Sequence, residues 1–283
     1  MNRVMCVDQC VRNTSRFWRD ATLPFIEART VADGRSVCYA PHSHETFSIG
    51  LIDNGASTYI NGNHQCRVEV GTLVLMNPGD VHACNPIQNQ PWAYRMLYVD
   101  ADWLCRLQND LGLGGVRFRG FTAVLTRDSE LQIGFRRLHA ALTDSSADRN
   151  KKESAAVLFF SALLERLELK EAVPIFDTKV LKAANYIAEH YARPLKLSEI
   201  SHAAGLSPSS LIRAFKKQYG ITPHAYLTNR RVQFARAELR RGQPIAEAAL
   251  AAGFADQAHL QRAFKQLLAA TPGHYRGFVR SRY

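Results

Sequence analysis

Residues 199–226 and 247–275 are two copies of one pattern, EISHAAGLSPSSLIRAFKKQYGITPHAY and EAALAAGFADQAHLQRAFKQLLAATPGHY. The offset is 48 residues up to the glycine and 49 after it, so the second copy carries one extra residue in its turn. Identical pairs are Glu199/Glu247, Ala203/Ala251, Ala204/Ala252, Gly205/Gly253, Leu211/Leu260, Arg213/Arg262, Ala214/Ala263, Phe215/Phe264, Lys216/Lys265, Thr222/Thr271, Pro223/Pro272 and Tyr226/Tyr275. Two copies are too few to stack into a solenoid, which needs about three units to bury a continuous core. The pattern must be a small motif used twice.

Each copy reads as helix, tight turn, helix. In the first, Leu197–Ala204 forms a short helix and Gly205 supplies the positive φ that ends it. Ser207 is a natural N-cap and Pro208 suits the first helical position. The second helix runs to about Tyr219, before Gly220. Ile200, Ala203, Leu206, Leu211 and Phe215 are the expected shared core, the small alanines allowing a close crossing. This is the helix-turn-helix geometry, whose second helix enters the DNA major groove. Ser209, Ser210, Ile212, Arg213 and Lys216 are left on the outer face of the first copy. Gln257, Ala258, His259, Gln261, Arg262 and Lys265 are left on the second. Arg can fork onto guanine, Gln onto adenine, and small or apolar side chains can meet a thymine methyl. Lysines near the helix ends suit phosphates. Arg213 and Arg262 have a competing role as salt-bridge partners of Glu199 and Glu247, which repeat with them. Between the copies, Tyr226–Arg241 reads as one helix of about 15 residues and about 22 Å, stopped by Gly242-Gln243-Pro244. It would set the recognition helices about 34 Å apart, in successive major grooves.

Charge follows the same division. Residues 174–283 hold 17 Lys+Arg against 6 Asp+Glu, whereas residues 1–173 hold 19 of each. The whole net charge of +11 lies in the last 110 residues. A basic module for a polyanion joined to a neutral module with another task is the expectation; a generally basic solvated surface is the plainer reading of the charge, and a non-specific nucleic-acid binder without sensing is a third functional alternative. An apolar fraction of 46% excludes a disordered chain. No run of about 18 apolar residues occurs, so no membrane span is expected. The charged N-terminus does not read as a signal peptide. All six cysteines (Cys6, Cys10, Cys38, Cys66, Cys84, Cys105) lie in the neutral part with no CxxC pair, which argues for reduced thiols in the cytoplasm and against a zinc finger.

Two helix-turn-helix motifs joined by a long helix resemble the AraC/XylS family of transcriptional regulators. The resemblance rests on Ala203-Ala204-Gly205-Leu206-Ser207, on Leu211-Ile212-Arg213-Ala214-Phe215-Lys216, and on Gly253-Phe254 through Phe264-Lys265 to Thr271-Pro272 and Tyr275-Arg276. It covers about residues 178–280. It implies a one-component bacterial regulator whose N-terminal domain binds an effector and often dimerises.

The neutral part reads as strands from 25 to 100: Thr46–Ile52, Ser57–Ile60, Arg67–Val70, Thr72–Met76 and Tyr94–Val99. Turn signals divide them at Asp53-Asn54-Gly55, Asn61-Gly62-Asn63 and Asn77-Pro78-Gly79-Asp80. A helix capped at Asp128 follows, with Leu131, Phe135, Leu138 and Leu142 on its apolar face. After a polar break at Thr143–Lys152 comes a second helix. Val157, Phe160, Leu164 and Leu167 form one stripe on it, widened by Leu158, Phe159 and Leu163; that excess suits either a dimer interface or packing inside the monomer. Glu171–Asp177 is the expected linker, giving domains 1–173 and 174–283. The fold class is α+β: a cupin-like β-barrel with following helices, then an all-α double helix-turn-helix domain.

Pro41-His42-Ser43-His44-Glu45 and the segment from Gly71 through Asn77-Pro78-Gly79-Asp80-Val81-His82 to Asn85 resemble the two halves of the cupin signature. By position His42, His44, His82 and Asn85 carry over. The glutamate of metal cupins does not: Ser48 and Ile49 stand in its place, and Glu45 is too early. The histidines could line an effector pocket, serve as satisfied polar groups at the barrel rim, or hold zinc or iron. Strand alternation adds Phe47, Tyr59, Met76, Trp92 and Tyr94 to the expected pocket. No cofactor is expected, and any metal would use His42, His44 and His82. The expected function is sequence-specific regulation of transcription, as an activator answering a small molecule. Its partners would be double-stranded DNA, an effector, RNA polymerase and a second copy of the chain. A metal-dependent cupin enzyme or metal sensor with a DNA-binding tail is the alternative.

Overall fold

The computed structural model describes residues 15–35, 37–88, 90–171 and 177–277. Cys6, Cys10 and most of the expected linker at Glu171–Asp177 lie outside the described residues.

The N-terminal domain is built around one long strand. Strands β1 (Ser15–Trp18), β2 (Ile26–Val31), β3 (Phe47–Asn61), β4 (His64–Glu69), β5 (Leu73–Met76), β6 (His82–Pro86), β7 (Trp92–Val99) and β8 (Leu125–Thr126) pair antiparallel. The first half of β3 lies between β7 and β5, with Ile49 opposite both Leu97 and Leu75. Its second half lies between β4 and β6. Asp53-Asn54-Gly55, expected as a turn, is a bulge inside this strand: the register to β7 shifts between Ile52 and Asn54. The extra residue bends the strand from one sheet into the other. It also aims the Asp53 carboxylate at Arg95 (2.6 Å) and Arg136 (2.8 Å). The expected turns at Asn61-Gly62-Asn63 and Asn77–Asp80 are present; the Asp80 N–H donates to the Asn77 carbonyl.

Helices α1 (Ala101–Asp110), α2 (Ser129–Thr143) and α3 (Arg149–Arg166) cover one face of the sheet. Asp128 caps α2, and Leu131, Phe135, Leu138 and Leu142 are all buried, as their spacing predicts. They meet Phe47, Ile49 and Leu51 of β3. On α3 the expected stripes divide differently. Phe159, Phe160, Leu163 and Leu164 are buried with Ala156, whereas Val157 and Leu158 face outward at 40% and 72% exposure. Leu167 lies beyond the last turn as its C-cap.

The C-terminal domain comprises α4 (Thr178–His190), α5 (Leu197–Ala204), α6 (Pro208–Tyr219), α7 (Pro223–Arg240), α8 (Ile245–Ala251), α9 (Gln257–Leu268) and α10 (Pro272–Arg276). Ile200, Leu211 and Phe215 are buried against Val180, Ala183 and Ile187 of α4. Each such side chain contributes about 1.5–3 kcal/mol. Within α5 it is Ala204, not Ala203, that is fully buried. The second motif packs Ala248, Ala249, Leu260 and Phe264 onto Val232, Ala235 and Leu239 of α7. Gly253, at φ 82°, joins the halves closely: a Cβ there would sit 2.6 Å from the carbonyl oxygen of Ala192. The connector α7 is 18 residues long, so it spans about 27 Å rather than 22. Among the described residues, no helix is long and apolar enough to cross a membrane.

Candidate functional site

The two second helices present the expected faces. Ser207 accepts from the Ser210 N–H and Asp256 from the His259 N–H, so each cap satisfies a first-turn donor and starts its helix at a fixed point. Ser209, Arg213 and Lys216 on α6, and Gln257, Ala258, Gln261, Arg262 and Lys265 on α9, are exposed. Ser210 and Ile212 are half-buried; the Ser210 hydroxyl accepts from Ser207 at 2.9 Å. His259 is half-buried, its ring edge-on to Phe254 at 5.0 Å. The competing role for Arg213 is not realised: Glu199 pairs with Arg193 at 2.8 Å. Among the described residues neither Arg213 nor Arg262 has an ion pair. Both guanidiniums therefore keep their full donor fork for an incoming acceptor.

Other residues of the same domain are docked on the barrel, which the sequence reading did not anticipate. The basic charge of the last 110 residues reads as polyanion-binding, yet all four arginines of α7 are engaged elsewhere, Arg240 by donating to the Pro24 carbonyl at 3.4 Å. Arg236 is buried, 2.6 Å from Glu27 of β2. The same carboxylate takes Arg19 at 2.6 Å and the Tyr275 hydroxyl at 2.9 Å. Burial would raise the Glu27 carboxyl, but Arg236 and Arg19 outweigh it and bring it to about 2. Arg230 pairs with Glu45, and Arg231 donates to the carbonyls of Tyr191 and Arg193. Further along, Arg29 of β2 donates to the Leu268 carbonyl at the end of α9, and the Ala40 N–H to the Gln266 carbonyl. These carbonyls are orphan acceptors of the last helical turn, and the barrel satisfies them.

A cavity lies inside the barrel, behind this interface. His42, His44, Met76, His82, Trp92 and Tyr94 line it, as expected. Phe47 does not: it points to the helix-covered core with Ile49 and Leu51, while Gly50 and Ile52 face the cavity. Tyr59 is also outside the lining, its hydroxyl spent on the Leu75 carbonyl at 2.7 Å. The sequence reading missed Tyr39, Val74, Cys84, Met96 and Tyr98. Asn85, read only as a signature residue, clamps Tyr39 in place: its Oδ1 accepts from the Tyr39 N–H and its Nδ2 donates to the Tyr39 carbonyl. The Tyr39 and Tyr94 hydroxyls are 2.6 Å apart, and Trp92 stacks on Tyr94 at 4.5 Å. Among the described residues, no Asp, Glu, Lys or Arg is in the wall, and the histidines are its ionisable nitrogens.

The three histidines meet at one end. Their rings are 4.6 to 4.9 Å apart, and one ring nitrogen from each falls within 4.8 Å of the others. Among the described residues no other group of three or more His, Cys, Asp or Glu is so disposed to hold a metal. Burial lowers all three toward the neutral form, strongly for His42 and His44; for His82 the Asp80 carbonyl and carboxylate oppose it. Burial also pushes the Cys84 thiol up to about 12. The set thus offers imidazole nitrogens and no anionic ligand.

Two segments of the chain match known family profiles. Residues 27–163 match the profile of an AraC-like ligand binding domain, and residues 200–277 that of a helix-turn-helix domain. The chain is 29% identical over 227 residues to the HTH-type transcriptional regulator YbfI of Bacillus subtilis (strain 168), covering 77% of this chain and 80% of that one. It is 24% identical over 240 residues to the HTH-type transcriptional activator RhaS of Salmonella schwarzengrund (strain CVM19633), covering 81% and 84%. An apo ToxT structure from Vibrio cholerae strain SCE256 superposes with a TM-score of 0.58 at 12% identity, covering 90% of this chain and 98% of that one. Unsaturated fatty acid bound ToxT from the same strain superposes at 0.56 with 12% identity, covering 94% and 96%. At that identity the likeness concerns the fold alone.

Proposed function

The chain belongs to the AraC/XylS family of helix-turn-helix transcriptional regulators, and on that premise we propose that it activates transcription by reading a specific operator while its barrel cavity reports on a small ligand. One observation carries this reading. The recognition residues of α6 and α9 stay exposed, while α7 between the two motifs is bonded to the barrel. Ser43, which sits between two cavity histidines, is hydrogen-bonded to α7 through Asn229 and Gln233. A ligand that favours one arrangement of residues 42–44 therefore biases the placement of the connector, and differential binding of that kind is what coupling requires. Arg213, Arg262, Gln257 and Gln261 are the proposed base readers; Lys216 and Lys265 are the proposed phosphate contacts. RNA polymerase beside the bound operator and a second copy across α3 complete the proposed assembly.

A promoter fusion tests the direction of regulation. Disrupting the gene lowers expression from the bound promoter if the protein activates, and raises it if it represses. Footprinting at physiological salt tests specificity: a bounded footprint supports an operator, whereas uniform protection of the duplex removes it.

A further inference from the structure

We propose that Arg29 of the barrel is a positioning residue for DNA reading: it holds the end of the second recognition helix in a left-handed turn, and so makes the seat of α9 on its half of the operator depend on the barrel. The proposal rests on the reading that α6 and α9 contact DNA.

The two copies of the motif end their second helices at equivalent positions, Gly220 and Ala269, 49 residues apart. Both are left-handed, Gly220 at φ 73° and Ala269 at φ 48°. Glycine adopts that backbone without steric cost, whereas the Cβ of alanine crowds the neighbouring carbonyl. The first copy therefore carries its own helix stop, and the second needs a brace from outside. The turn at Ala269 leads into α10, where Thr271 is the N-cap and Tyr275 returns to Glu27.

The brace is on the barrel. Arg29 Nη1 donates to the Leu268 carbonyl at 2.8 Å, and Nη2 reaches the Ala269 carbonyl at 3.5 Å. The Ala40 N–H donates to the Gln266 carbonyl at 2.9 Å. Ala269 itself packs against the barrel cluster that includes Tyr59, Met76 and Tyr94. Arg29 is only 1% exposed, so water competes little for these carbonyls. Its charge sits at the negative end of the α9 dipole, with the Phe17 ring 4.9 Å away. Arg19 and Arg236, the other buried arginines of the interface, share Glu27; Arg29 is met by the helix end instead. Lys265 and Arg262 stand about one and two turns before that end, on the same rigid helix, so holding the turn places their side chains.

The same guanidinium touches the cavity wall. Nη1 also donates to the Tyr39 hydroxyl at 2.8 Å, which lies 2.6 Å from the Tyr94 hydroxyl. Tyr39 and Tyr94 both line the cavity. This route ends on a recognition helix, whereas the bonds from Ser43 to Asn229 end on the connector. An occupant that shifts Tyr39 therefore loosens the brace on α9.

The test uses the full-length chain and a duplex that the wild type selects from a random pool. The half read by α9 is the one whose protection Arg262→Ala removes. Arg29→Gln is expected to weaken protection of that half about fivefold or more, the scale of a left-handed alanine, and to change the other half by less than about twofold. Ala269→Gly, which needs no brace, is expected to restore that half in Arg29→Gln, and to raise protection there far more than it does in the wild type. Unchanged protection by Arg29→Gln overturns the positioning role. So does a loss shared by both halves, or one that Ala269→Gly does not restore, since either signifies a general loss of fold. If Arg29→Gln alone does not fold, the double variant decides: protection of both halves supports the role, and an unfolded chain or a missing α9 half overturns it. A wild type without a bounded footprint overturns the proposal together with DNA reading, whereas a bounded wild-type footprint that Arg29→Gln leaves intact overturns the proposal alone.

Discussion

Asn229 on α7 donates from Nδ2 to both the carbonyl and the hydroxyl oxygen of Ser43, at 3.1 and 3.0 Å. Asn229 is only 3% exposed, so water cannot replace these bonds cheaply. The contact joins the cavity wall to the helix between the two DNA-reading motifs. Asn229→Ala removes both bonds and leaves the Ser43 hydroxyl without this donor. Loss of a buried partner costs about 1–3 kcal/mol, to be read as a lower urea midpoint. An unchanged midpoint would mean that Gln233 alone holds Ser43.

The carboxylate of Glu27 gives the domain interface a pH dependence. It is held at about 2 against an ordinary 4.5 by Arg236 and Arg19, despite its burial. The Tyr275 hydroxyl and the ring of Tyr98, over which Arg236 lies at 4.7 Å, complete its surroundings. A depressed carboxyl stabilises the fold fully above its unfolded value, and that stability is lost as pH falls through the folded value. The pair therefore contributes its full share at pH 5 and above. The loss begins near pH 4.5 and continues toward 2, amounting in total to on the order of 3 kcal/mol. Other carboxylates titrate in the same window, so the comparison is with Glu27→Gln. The variant is expected to be less stable at pH 7 and to lose a smaller increment between pH 5 and 3. Parallel stability curves for the two proteins would show that Glu27 carries no such linkage.

Local signals made the helix-turn-helix motifs legible in the sequence. Gly205 ends α5 at φ 62°, and Ser207 and Pro208 start α6 where capping chemistry places them. Strand phase was harder. Every residue from Phe47 to Ile52 is buried, so no polar face marks which side is which. Phe47 was thereby assigned to the cavity when Ser48, Gly50 and Ile52 hold that side. Asp53-Asn54-Gly55 carries turn chemistry, yet the flanking strand pairs on both sides hold it as a bulge. The docked face was invisible for another reason. Glu27 and Arg236 are 209 positions apart, and each alone reads as an ordinary charged residue.

Lys216 lies in the last turn of α6, exposed and clear of the apolar core. A phosphate contact carries no sequence information. Lys216→Ala is expected to weaken binding to all duplexes alike and to reduce the slope of log K against log salt by about one. Fluorescence anisotropy titrations at three or more salt concentrations measure this. A loss confined to the preferred sequence would make Lys216 a base reader instead.

Leu158 and Val157 leave α3 with an apolar outer edge. If a second copy covers it, Leu158→Glu places a charge in that contact and shifts the chain toward monomer. Light scattering behind a sizing column gives the mass directly. A wild type that is already monomeric at tens of micromolar would remove this interface.

Selection of duplexes from a random pool tests the DNA-reading claim most directly, with the wild type set beside the Arg213→Ala/Arg262→Ala double variant. The wild type should enrich a bipartite motif whose halves lie about one helical turn, roughly 10 base pairs, apart. The double variant should lose preference at the guanines of each half, at about 1–3 kcal/mol per arginine. No enrichment by the wild type, or the same motif from both proteins, would contradict base reading by α6 and α9.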